Sequence, residues 1–494
     1  MNMCRSTVGW LAAIGFVVQC AAADGWRPEE RWRGFNLLGM FQQPWSEGRF
    51  DEEDFKLIRE LGFNFVRLPL DYRFWLKDKD WEQIDEAKFA PIDEAVAWGK
   101  RYGLHVQLCF HRAPGYTVAK PPEARNLFAD EDALRVCCRH WAFFARRYKG
   151  VPNRELSFNL FNEPGEVDDA AYGRVGAALV SAIRAEDPSR FIVADGIAWG
   201  GRPAQSLFTL GIGQATRGYR PMSISHYLAS WVGSPSAEPV WPPPSAVSPL
   251  YGAGKAPWNV PLVIEDVPAG KLTLWPGVVS GKVRFLVEAD GQRACDFELD
   301  AGKGPGWTNA IYKSEWKITQ AKSTSVLSCE LPRGAKRLAV SLAAGDWAEL
   351  SKLSLESTDG RSATLHLQHD WGRTNAPHRF AGFAALPAFE PAGGALSGAD
   401  YLRKEALEPW QPAFDAGIFV MVGEFGAYCH TPHAVTLAWM EDNLALWKER
   451  GVGWALWNFR GTFGILDSGR KDVAYEEFRG HKLDRKMLEL LQRY

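Results

Sequence analysis

The sequence lacks a charge excess of either sign, because its 57 Lys and Arg residues balance 59 Asp and Glu residues and leave a formal net charge of −2. Proteins that bind the phosphate backbone of nucleic acids carry a basic patch or stripe, so this balance disfavours a nucleic-acid partner. After the N-terminal segment, the chain has no uninterrupted apolar run of the roughly 18 residues that a membrane-spanning helix needs. We therefore expect a soluble globular protein without a membrane span.

Motifs for metals and cofactors are missing as well. The histidines show no HExxH spacing and the cysteines form no CxxC pattern, so the sequence predicts neither a metal site nor a cofactor. Cys295 and Cys329 lie in one strand-rich region and are candidates for a disulfide, which an exported protein can form. Cys109, Cys137 and Cys138 lie in apolar segments and are better explained as small buried hydrophobic residues.

The N-terminal segment has the parts of an export signal. Arg5 is followed by an apolar run from Val8 to Val18 and by three alanines, Ala21–Ala23, before Asp24. Because the run is too short to span a bilayer and ends at an A-x-A-like site, we expect residues 1–23 to be a cleaved signal peptide. The protein would then be secreted or periplasmic; a buried N-terminal helix is the alternative.

Aromatic residues, by contrast, are abundant, with 22 Trp, 13 Tyr and 28 Phe. Indole rings fill hydrophobic cores, but their faces also stack on sugar rings and bind cations. The composition alone does not distinguish these uses.

Short apolar runs alternate with longer amphipathic segments from Arg33 onwards, which is typical of repeated β/α units and a parallel sheet. A helix is predicted from Pro91, which suits a first helical turn, to Gly103, which suits a helix end. Eight strands are the number that closes a TIM barrel. The predicted strands are Gly34–Leu38, Phe63–Leu68, Leu104–Phe110, Leu156–Phe161, Phe191–Ala194, Met222–Ser225, Ile418–Val422 and Val452–Trp457.

The spacing breaks once, between predicted strands six and seven, where the chain is far longer than one loop and one helix require. A proline-rich stretch from Ser234 to Pro249 opens this gap and predicts a stiff linker. Period-two alternation follows and predicts an antiparallel β-sandwich over roughly residues 250–370. The alternating segments are Gly281–Val287, Ala294–Leu299 and Arg337–Leu342.

We therefore predict a (β/α)8 barrel built from residues 24–235 and 385–494, with a linker and an inserted β-rich domain over residues 236–384. The helical segment Ala399–Phe414 would return the chain to strand seven. The insert could be a carbohydrate-binding module, a wall that narrows a cleft or a structural spacer. Its tryptophans, which could be sugar platforms or core residues, include Trp258, Trp275, Trp307, Trp316 and Trp347.

Polar side chains follow six of the predicted strands at the end where the working residues of a TIM barrel stand. One such residue could be accidental, but six at one mouth predict a functional site. They are Arg67, His111, Asn162 with Glu163, His226, Glu424, and Trp457 with Asn458.

Two of these residues, Glu163 and Glu424, are carboxylates on strands four and seven, on opposite sides of the barrel mouth. Opposed carboxylates catalyse glycoside hydrolysis: one protonates the leaving oxygen, and the other attacks the anomeric carbon or activates water. A separation of about 5–5.5 Å indicates retention of configuration, and about 6.5–9.5 Å indicates inversion.

The motifs at the strand ends are similar to those of glycoside hydrolase family 5, the cellulase-type enzymes, a retaining clan of (β/α)8 proteins. An Asn-Glu-Pro motif after strand four, together with a later Gly-Glu-Phe-Gly at strand seven, is a specific combination. The segments that carry the resemblance are Arg67-Leu68-Pro69, His111, Phe158–Pro164, His226-Tyr227, Gly423–Gly426 and Trp457.

The resemblance implies that Glu163 is the general acid/base and Glu424 the nucleophile. Glu163 must then stay protonated near neutral pH, so we expect burial and the charge of Glu424 to raise its pKa. Asn162 would hydrogen-bond the 2-hydroxyl of the sugar.

The resemblance assigns supporting roles to four more residues. Arg67 would hold Glu424 ionised and oriented, while His111 and His226 would bind sugar hydroxyls or brace the nucleophile. Trp457 would form the stacking floor under the sugar. As alternatives, Arg67 could be a structural ion-pair residue, His111 a histidine with satisfied hydrogen bonds, and Trp457 a barrel plug.

One position departs from the family pattern. The family often shows His-x-Tyr after strand six, with the tyrosine touching the nucleophile, but Tyr227 follows His226 directly and position 228 is Leu228. Either a bulge re-aims Tyr227 or another residue takes this role.

The implied function is a secreted retaining glycoside hydrolase that cleaves β-linked polysaccharide, foremost β-1,4-glucan, by double displacement and acts as a monomer without a cofactor. A β-mannanase, a xyloglucanase or an exo-β-glycosidase would use the same scaffold. A non-catalytic carbohydrate-binding protein is the alternative from another class, although both glutamates are present.

Overall fold

A computed structural model describes residues 26–232, 238–385, 387–394 and 396–494. The predicted signal peptide and part of the predicted linker lie outside these residues. Among the helices of the described part of the chain, none combines the length and the apolar character needed to cross a membrane.

Within the described residues, eight parallel strands pair with their sequence neighbours, and the first strand pairs with the eighth, so the sheet closes into a barrel. A short strand, Tyr116–Thr117, folds back on the end of strand three. The barrel strands are Arg33–Asn36, Phe65–Asp71, His105–Ala113, Leu156–Asn159, Ile192–Asp195, Gly213–Gly218, Val420–Phe425 and Gly453–Leu456. The predicted TIM-barrel fold is confirmed.

The sixth strand is Gly213–Gly218, and the predicted sixth strand, Met222–Ser225, is a short helix. This prediction was wrong because the true strand has no apolar run. Its polar side chains are nevertheless buried, since Gln214 exchanges hydrogen bonds with the backbone of Ala204 and Thr216 donates to a backbone carbonyl. A strand whose polar groups are satisfied internally does not need the hydrophobic pattern by which strands are recognised.

Helices surround the barrel. The predicted helix after strand two begins at Ala90 with Pro91 in its first turn, and ends at Tyr102 before Gly103, whose φ of +65° suits glycine. The helices are Glu52–Glu60, Ala90–Tyr102, Glu131–Arg147, Asp169–Glu186, Ile197–Gly200, Met222–Ser225, Gly398–Leu402, Gln411–Asp415, His433–Glu449 and Arg485–Arg493. Shorter 3-10 or π segments are Tyr72–Trp75, Glu86–Phe89, Gln205–Leu210, Arg403–Leu407 and Glu408–Trp410.

The barrel core accounts for many of the aromatic residues. Trp141 stacks on Phe110 at 4.0 Å between ring centroids, in the layer between strands and helices. Trp32 stacks on His105 at 4.1 Å in a smaller cluster with Phe65. In the part of the chain that the structure describes, five tryptophans are fully buried, namely Trp75, Trp141, Trp410, Trp439 and Trp454.

Two β-sheets lie between barrel strands six and seven and pack on a separate hydrophobic core, where the sequence predicts a β-sandwich. Among the described strands of these sheets, the pairings are antiparallel except for one parallel pair, Leu262–Glu265 with His378–Phe380. One sheet contains Leu250–Tyr251, Gly270–Ser280, Trp307–Lys313, Ile318–Ser323, Leu327–Leu331, Trp347–Ser357 and Ser362–His366. The other contains Leu262–Glu265, Lys282–Ala289, Gln292–Asp300, Arg337–Ala344, His378–Phe380 and Phe389–Pro391. The exact domain limits stay a prediction.

Shorter strand pairs complete the fold. They are Leu76–Lys77 with Asp80–Ile84, Val247–Ser248 with Gln368–His369, and Glu476–Phe478 with His481–Leu483. The candidate disulfide between Cys295 and Cys329 is formed, and it joins the two sheets of the sandwich.

Candidate active site

The sequence-predicted site residues meet at the carboxyl end of the barrel strands, where loops rather than helices cover the sheet. Arg67, His111 and Glu424 lie within strands two, three and seven, and Asn162 and Glu163 lie three and four positions after the last residue of strand four. Their side chains converge because consecutive parallel strands end at the same rim.

Arg67 is a fully buried centre of this cluster. Its Nη1 donates to Glu424 Oε1 at 2.7 Å and to Asn36 Oδ1 at 3.0 Å. Its Nη2 donates to Asn162 Oδ1 at 2.8 Å, and its Nε to Asn159 Oδ1 at 3.0 Å. The contact with Glu424 is the one that the family resemblance implied, and the other bonds fix the guanidinium in one orientation.

Arg217 is a second buried arginine that the sequence analysis missed. Its Nε donates to Glu163 Oε1 at 2.9 Å, and its Nη2 lies 3.4 Å from Glu424 Oε1. The same Nη2 donates to Asn162 Oδ1 at 2.9 Å and forms an ion pair with Asp195. One guanidinium therefore contacts both glutamates.

The backbone of Glu163 is held in an uncommon conformation. Its φ is +50°, a value that costs a non-glycine residue about 1–3 kcal/mol and persists only where the surroundings enforce it. Asp195 Oδ2 accepts a hydrogen bond from its N–H at 2.8 Å, and the Tyr116 hydroxyl donates to its carbonyl at 2.5 Å. These two contacts turn the Glu163 side chain towards Arg217.

Tyr219 supplies the tyrosine that the family pattern called for. Its hydroxyl donates to Glu424 Oε2 at 3.2 Å, and it follows Arg217 at the spacing of the His-x-Tyr pattern, with Gly218 between them. A Cβ on Gly218 would lie 2.7 Å from the side chain of Phe425, which explains the small residue. Tyr227 lies beyond the short helix and does not hold this position.

His226 contributes indirectly. Its Nδ1 lies 2.9 Å from the Ser225 hydroxyl, and its ring packs edge-on against Tyr219 with 4.9 Å between centroids. The Ser225 hydroxyl in turn donates to the backbone carbonyl of Tyr219. His226 therefore supports Tyr219, which touches Glu424.

His111 and Trp457 form a stacked pair on the other side of Glu424, with ring centroids 5.7 Å apart and planes inclined by 23°. Phe41 packs edge-on against both rings. Trp457 is half-buried, so part of its surface faces the site. Among the described residues, neither His111 Nδ1 nor Asn162 Nδ2 has a hydrogen-bond partner, although both atoms are buried. These atoms are available to a ligand's hydroxyl groups.

The two glutamates have pKa values shifted in opposite directions. Burial, followed by the charge of Glu424, raises the pKa of Glu163 to about 7, against the opposing effect of Arg217. Burial also acts to raise the pKa of Glu424, but Arg217, Arg67 and His111 together outweigh it and bring the pKa below the ordinary value. Below about pH 7, Glu163 is therefore mainly protonated while Glu424 is ionised.

The neighbouring groups are compatible with that assignment. Burial lowers the pKa of His111 and of His226 to about 4, so both imidazoles are neutral at pH 7. Burial and then Glu424 raise the pKa of Tyr219 well above its usual range, which keeps its hydroxyl a donor. In the buried cluster, both guanidiniums, of Arg67 and Arg217, form ion pairs with Asp195 and Glu424.

A cavity of about 390 Å³ lies among the loops that follow strands three to five, and Tyr116, which lines it, is hydrogen-bonded to the backbone of Glu163. Tyr116 and Phe128 line one part of it, and Gly165 and Trp199 another. Trp199 is 47% exposed, and a Cβ on Gly165 would lie 3.0 Å from its ring, so a larger residue at position 165 would crowd the indole.

The residues that the sequence did not reveal fall into two pairs, each with its own cause. Arg217 and Tyr219 belong to strand six and its end, which was placed too late in the chain, and the single visible signal for them was the Arg-Gly-Tyr tripeptide at the family's His-x-Tyr spacing. Asn36 and Asp195 end strands one and five, but they were not recognised because they contact arginines rather than a glutamate side chain.

Comparisons with known proteins point to one family. The sequence profile described as cellulase, glycosyl hydrolase family 5, matches residues 24–214. Endoglucanase C of Acetivibrio thermocellus is 34% identical over 170 residues, which is 33% of this chain and 49% of that protein. Cellodextrinase A of Ruminococcus flavefaciens is 29% identical over 157 residues, covering 29% of this chain and 46% of the relative. The chain therefore spans about half the length of the curated relatives that it matches.

Solved structures resemble the chain over nearly its whole length. A crystal structure of a glycoside hydrolase has a TM-score of 0.59 and 27% identity, and covers 94% of this chain and 99% of its own. Cel5A of Thermotoga maritima, solved with cellobiose, has a TM-score of 0.50 and 17% identity, and covers 93% and 96%. The second likeness concerns the fold alone.

Proposed function

We propose that the protein is a retaining glycoside hydrolase that cleaves β-linked glucan, because residues 24–214 match the cellulase family, glycosyl hydrolase family 5. The observation that carries this proposal is the pair formed by Glu163 and Glu424, one protonated and one ionised, on a single guanidinium at the barrel mouth. A non-catalytic barrel would have no reason to keep two carboxyl groups buried in opposite protonation states.

In the first step, Glu424 attacks the anomeric carbon while Glu163 donates its proton to the glycosidic oxygen, so the bond between carbon and oxygen breaks as the ester bond to Glu424 forms. Asn162 Nδ2 is free to donate to the 2-hydroxyl, a bond that strengthens as positive charge develops on the sugar. Trp457 supports the sugar ring from below. The leaving half of the glucan would extend towards the cavity lined by Tyr116, Gly165 and Trp199.

In the second step, the ester at Glu424 no longer carries a charge. The repulsion that helped to raise the pKa of Glu163 is then gone, whereas Arg217 still lowers it. Glu163 becomes a carboxylate that accepts a proton from water as the water attacks the anomeric carbon. Glu424 leaves as a carboxylate, stabilised again by Arg67 and Tyr219.

The contacts of Arg217 support retention rather than inversion. Its Nε and Nη2 lie on the same edge of the guanidinium, and they contact Glu163 and Glu424 respectively. Two carboxyl groups on one such edge favour the separation of about 5–5.5 Å of retaining enzymes over the wider spacing that accommodates a water molecule.

For the substrate we propose β-1,4-glucan first, because proteins named endoglucanase and cellodextrinase match the catalytic segment. Shorter parts of the chain match two proteins named for β-1,3-glucan, probable glucan 1,3-beta-glucosidase A of Emericella nidulans and glucan 1,3-beta-glucosidase of Candida oleophila. The proposal includes export through residues 1–23, which N-terminal sequencing of the protein purified from its source tests directly.

The test of the function is hydrolysis of a panel of soluble β-1,4-glucan, mixed-linkage glucan, β-1,3-glucan, mannan, xyloglucan and xylan by the wild type and by Glu424→Gln. We expect the wild type to release reducing ends from β-1,4-glucan and the variant to lose activity by about 10⁴-fold or more. A wild type that cleaves none of these glycans, nor an aryl cellobioside, overturns the proposal. Initial products with inverted configuration by NMR would overturn the nucleophile role of Glu424 alone.

A further inference from the structure

The β-sandwich carries an aromatic surface of its own, formed by Tyr251, Trp258, Trp347, His369 and Trp371, which is termed the insert platform below. Trp371 is 51% exposed and Trp258 is 45% exposed, whereas Tyr251 is buried beneath them. Both exposed tryptophans are therefore more open to solvent than the core tryptophans of the barrel. Packing in a hydrophobic core therefore does not explain why tryptophan occupies these two positions.

The geometry of the insert platform is fixed by contacts among its members. The Trp371 ring meets Trp347 at 5.2 Å and Tyr251 at 5.4 Å, edge-on in both cases, and lies nearly parallel to His369 at 6.2 Å. Tyr251 and Trp347 are paired across neighbouring strands. The Tyr251 hydroxyl accepts a hydrogen bond from the Gly372 N–H at 2.7 Å, next to Trp371. The exposed face of Trp371 is therefore held ready before any ligand binds, which lowers the entropic cost of binding.

The insert platform lies on the catalytic side of the barrel. Gln368 Nε2 donates to the hydroxyl of Ser223 at 2.6 Å, and Asp370 Oδ2 accepts from the Tyr401 hydroxyl at 2.8 Å. The segment that leads into Trp371 is therefore hydrogen-bonded to the barrel. Ser223 lies in the short helix after strand six, and Tyr401 in the first helix that follows the insert.

The hydrogen bond between Tyr401 and Asp370 shows at which end of the barrel the insert platform lies. A helix of the barrel begins at the end where the preceding strand finishes, which is the catalytic end. Tyr401 lies in the opening helix Gly398–Leu402 and therefore near that end. The link to the cleavage point is also short along the chain, since Tyr219, which touches Glu424, precedes Ser223 by four positions.

The chemistry of the surroundings favours a sugar over an apolar partner. Lys255 and Asp346 form an ion pair at 2.7 Å beside Trp258 and Trp347 in the sequence, and His369 Nδ1 lies 2.9 Å from Glu349 Oε1. Exposed indole faces bordered by carboxylate, ammonium and imidazole groups match a pyranose ring, which presents C–H groups on its faces and hydroxyl groups at its edge.

We propose that the insert platform is a second glycan-binding site, which holds a stretch of the same polysaccharide chain outside the cleavage point. This inference rests on the proposed function for the identity of the glycan, and it assigns the sandwich a role in capturing long substrates. Trp371 provides the main stacking face, and Trp258 a second one further along the surface.

The test compares a polymeric substrate with a short one. For wild type, Trp371→Ala and Trp258→Ala, kcat/KM is measured on soluble β-1,4-glucan and on an aryl cellobioside, and the ratio of the two values is reported. We expect the ratio to fall about three- to tenfold in Trp371→Ala, mainly through KM on the polymer, because one sugar contact of this kind is lost. Trp371→Phe, which keeps an aromatic face, should recover most of the ratio.

Trp316→Ala is the matched control, since Trp316 is 65% exposed and lies by the strand pair at the opposite edge of the same sheet from Tyr251. Its ratio should equal that of the wild type. Affinity electrophoresis in gels that contain soluble β-1,4-glucan measures binding without catalysis, and Trp371→Ala should be retarded less than wild type and Trp316→Ala. Thermal unfolding of each variant shows that the fold is retained.

An unchanged ratio together with unchanged retardation in Trp371→Ala overturns the inference, as does an equal loss in Trp316→Ala. If sedimentation velocity shows a wild-type dimer that Trp371→Ala dissociates, the insert platform is an interface between copies of the chain and the inference is wrong. A wild type that hydrolyses no glycan would count against the proposed function, while gel retardation would still decide whether the platform binds glycan.

Discussion

Arg217 Nε lies 2.9 Å from Glu163 Oε1, so the proposed acid/base is hydrogen-bonded to a permanent cation. In the family pattern, a histidine precedes the nucleophile-side tyrosine by two positions, but Arg217 stands two positions before Tyr219. A neutral histidine would leave the pKa of Glu163 to burial and to Glu424, whereas an arginine lowers it at every stage of the reaction. The site therefore includes a fixed charge that favours the basic form of Glu163 once Glu424 is esterified.

Replacement of Arg217 by glutamine should move both limits of the pH profile. Arg217 lowers the pKa of Glu163 and of Glu424, so both pKa values rise when it is removed. Since Glu424 must be ionised and Glu163 protonated, the acidic and alkaline limbs of kcat/KM should both shift to higher pH, with a loss at the optimum of about 10²-fold. Arg217→Lys, which keeps the charge, should shift the limbs less. Limbs that stay at their wild-type positions would mean that Arg217 is merely structural.

The wild type should be most active on the acidic side of neutrality. Glu163 loses its proton with a pKa of about 7, so kcat/KM should fall as the pH rises through this value. The pKa of Glu424 lies below the ordinary glutamate value of 4.5, so the acidic limb should lie below that pH. The measurement is kcat/KM on an aryl cellobioside across this range. A constant rate up to about pH 9 would contradict the assignment of Glu163 as the acid.

Tyr219→Phe should weaken the nucleophile, and Tyr227→Phe should not. The Tyr219 hydroxyl donates to Glu424 Oε2 at 3.2 Å, and its loss should raise the pKa of Glu424 and lower kcat/KM by about tenfold. The acidic limb should therefore shift to higher pH in Tyr219→Phe. Tyr227 lies beyond the short helix after strand six and serves as the matched control. Equal effects of the two substitutions would refute the assignment of Tyr219.

The two glutamates should respond differently to an added nucleophile. With a dinitrophenyl glycoside, whose leaving group needs no protonation, Glu163→Ala should still form the glycosyl-enzyme, and azide should accelerate its breakdown to a product of retained configuration. Glu424→Ala should yield a glycosyl azide of inverted configuration instead, because azide replaces the missing carboxylate. NMR of the azide products distinguishes the two. The same configuration from both variants would show that the roles are misassigned.

Removal of the disulfide should destabilise the sandwich more than the barrel. Cys295 and Cys329 are 34 residues apart and join the two sheets, so replacing both by serine should lower the free energy of unfolding by about 2–4 kcal/mol. Differential scanning calorimetry measures the change, and Cys429→Ser, a substitution at a half-buried free cysteine, is the control. An unaltered unfolding temperature for the double variant would argue that the disulfide contributes little.

The sequence was sufficient for the parts of the fold that have hydrophobic patterns. Apolar runs located seven of the eight barrel strands, and period-two alternation located the sandwich. Strand six failed because its buried positions are occupied by Gln214, Thr216 and Arg217, whose polar groups are satisfied by partners distant in the sequence. A pattern of neighbouring residues in the sequence cannot reveal these hydrogen-bond partners.

In the site, residues that belong to a sequence motif could be predicted, whereas residues defined by their contacts in the folded chain could not. Glu163 and Glu424 follow apolar runs within recognisable motifs, so both were identified, and Arg67 was expected beside Glu424. The role of Asp195 can be recognised only in the structure, because its carboxylate contacts Arg217 and the backbone N–H of Glu163, which are distant in the sequence. The same holds for Trp371, which lies in a turn and whose neighbours Trp347 and Tyr251 come from two strands distant in the sequence.

The position of the sandwich between strands six and seven also determines the order in which parts of the protein are synthesised and can fold. Glu163 leaves the ribosome before the sandwich does, and Glu424 leaves after it, as does the strand Gly453–Leu456 that pairs with Arg33–Asn36. A nascent chain can therefore complete the sandwich while the barrel is still an open sheet with two unpaired edges. The strand with Glu424 and the closing strand Gly453–Leu456 both follow the sandwich, so the site with both glutamates can form only after the sandwich has been synthesised.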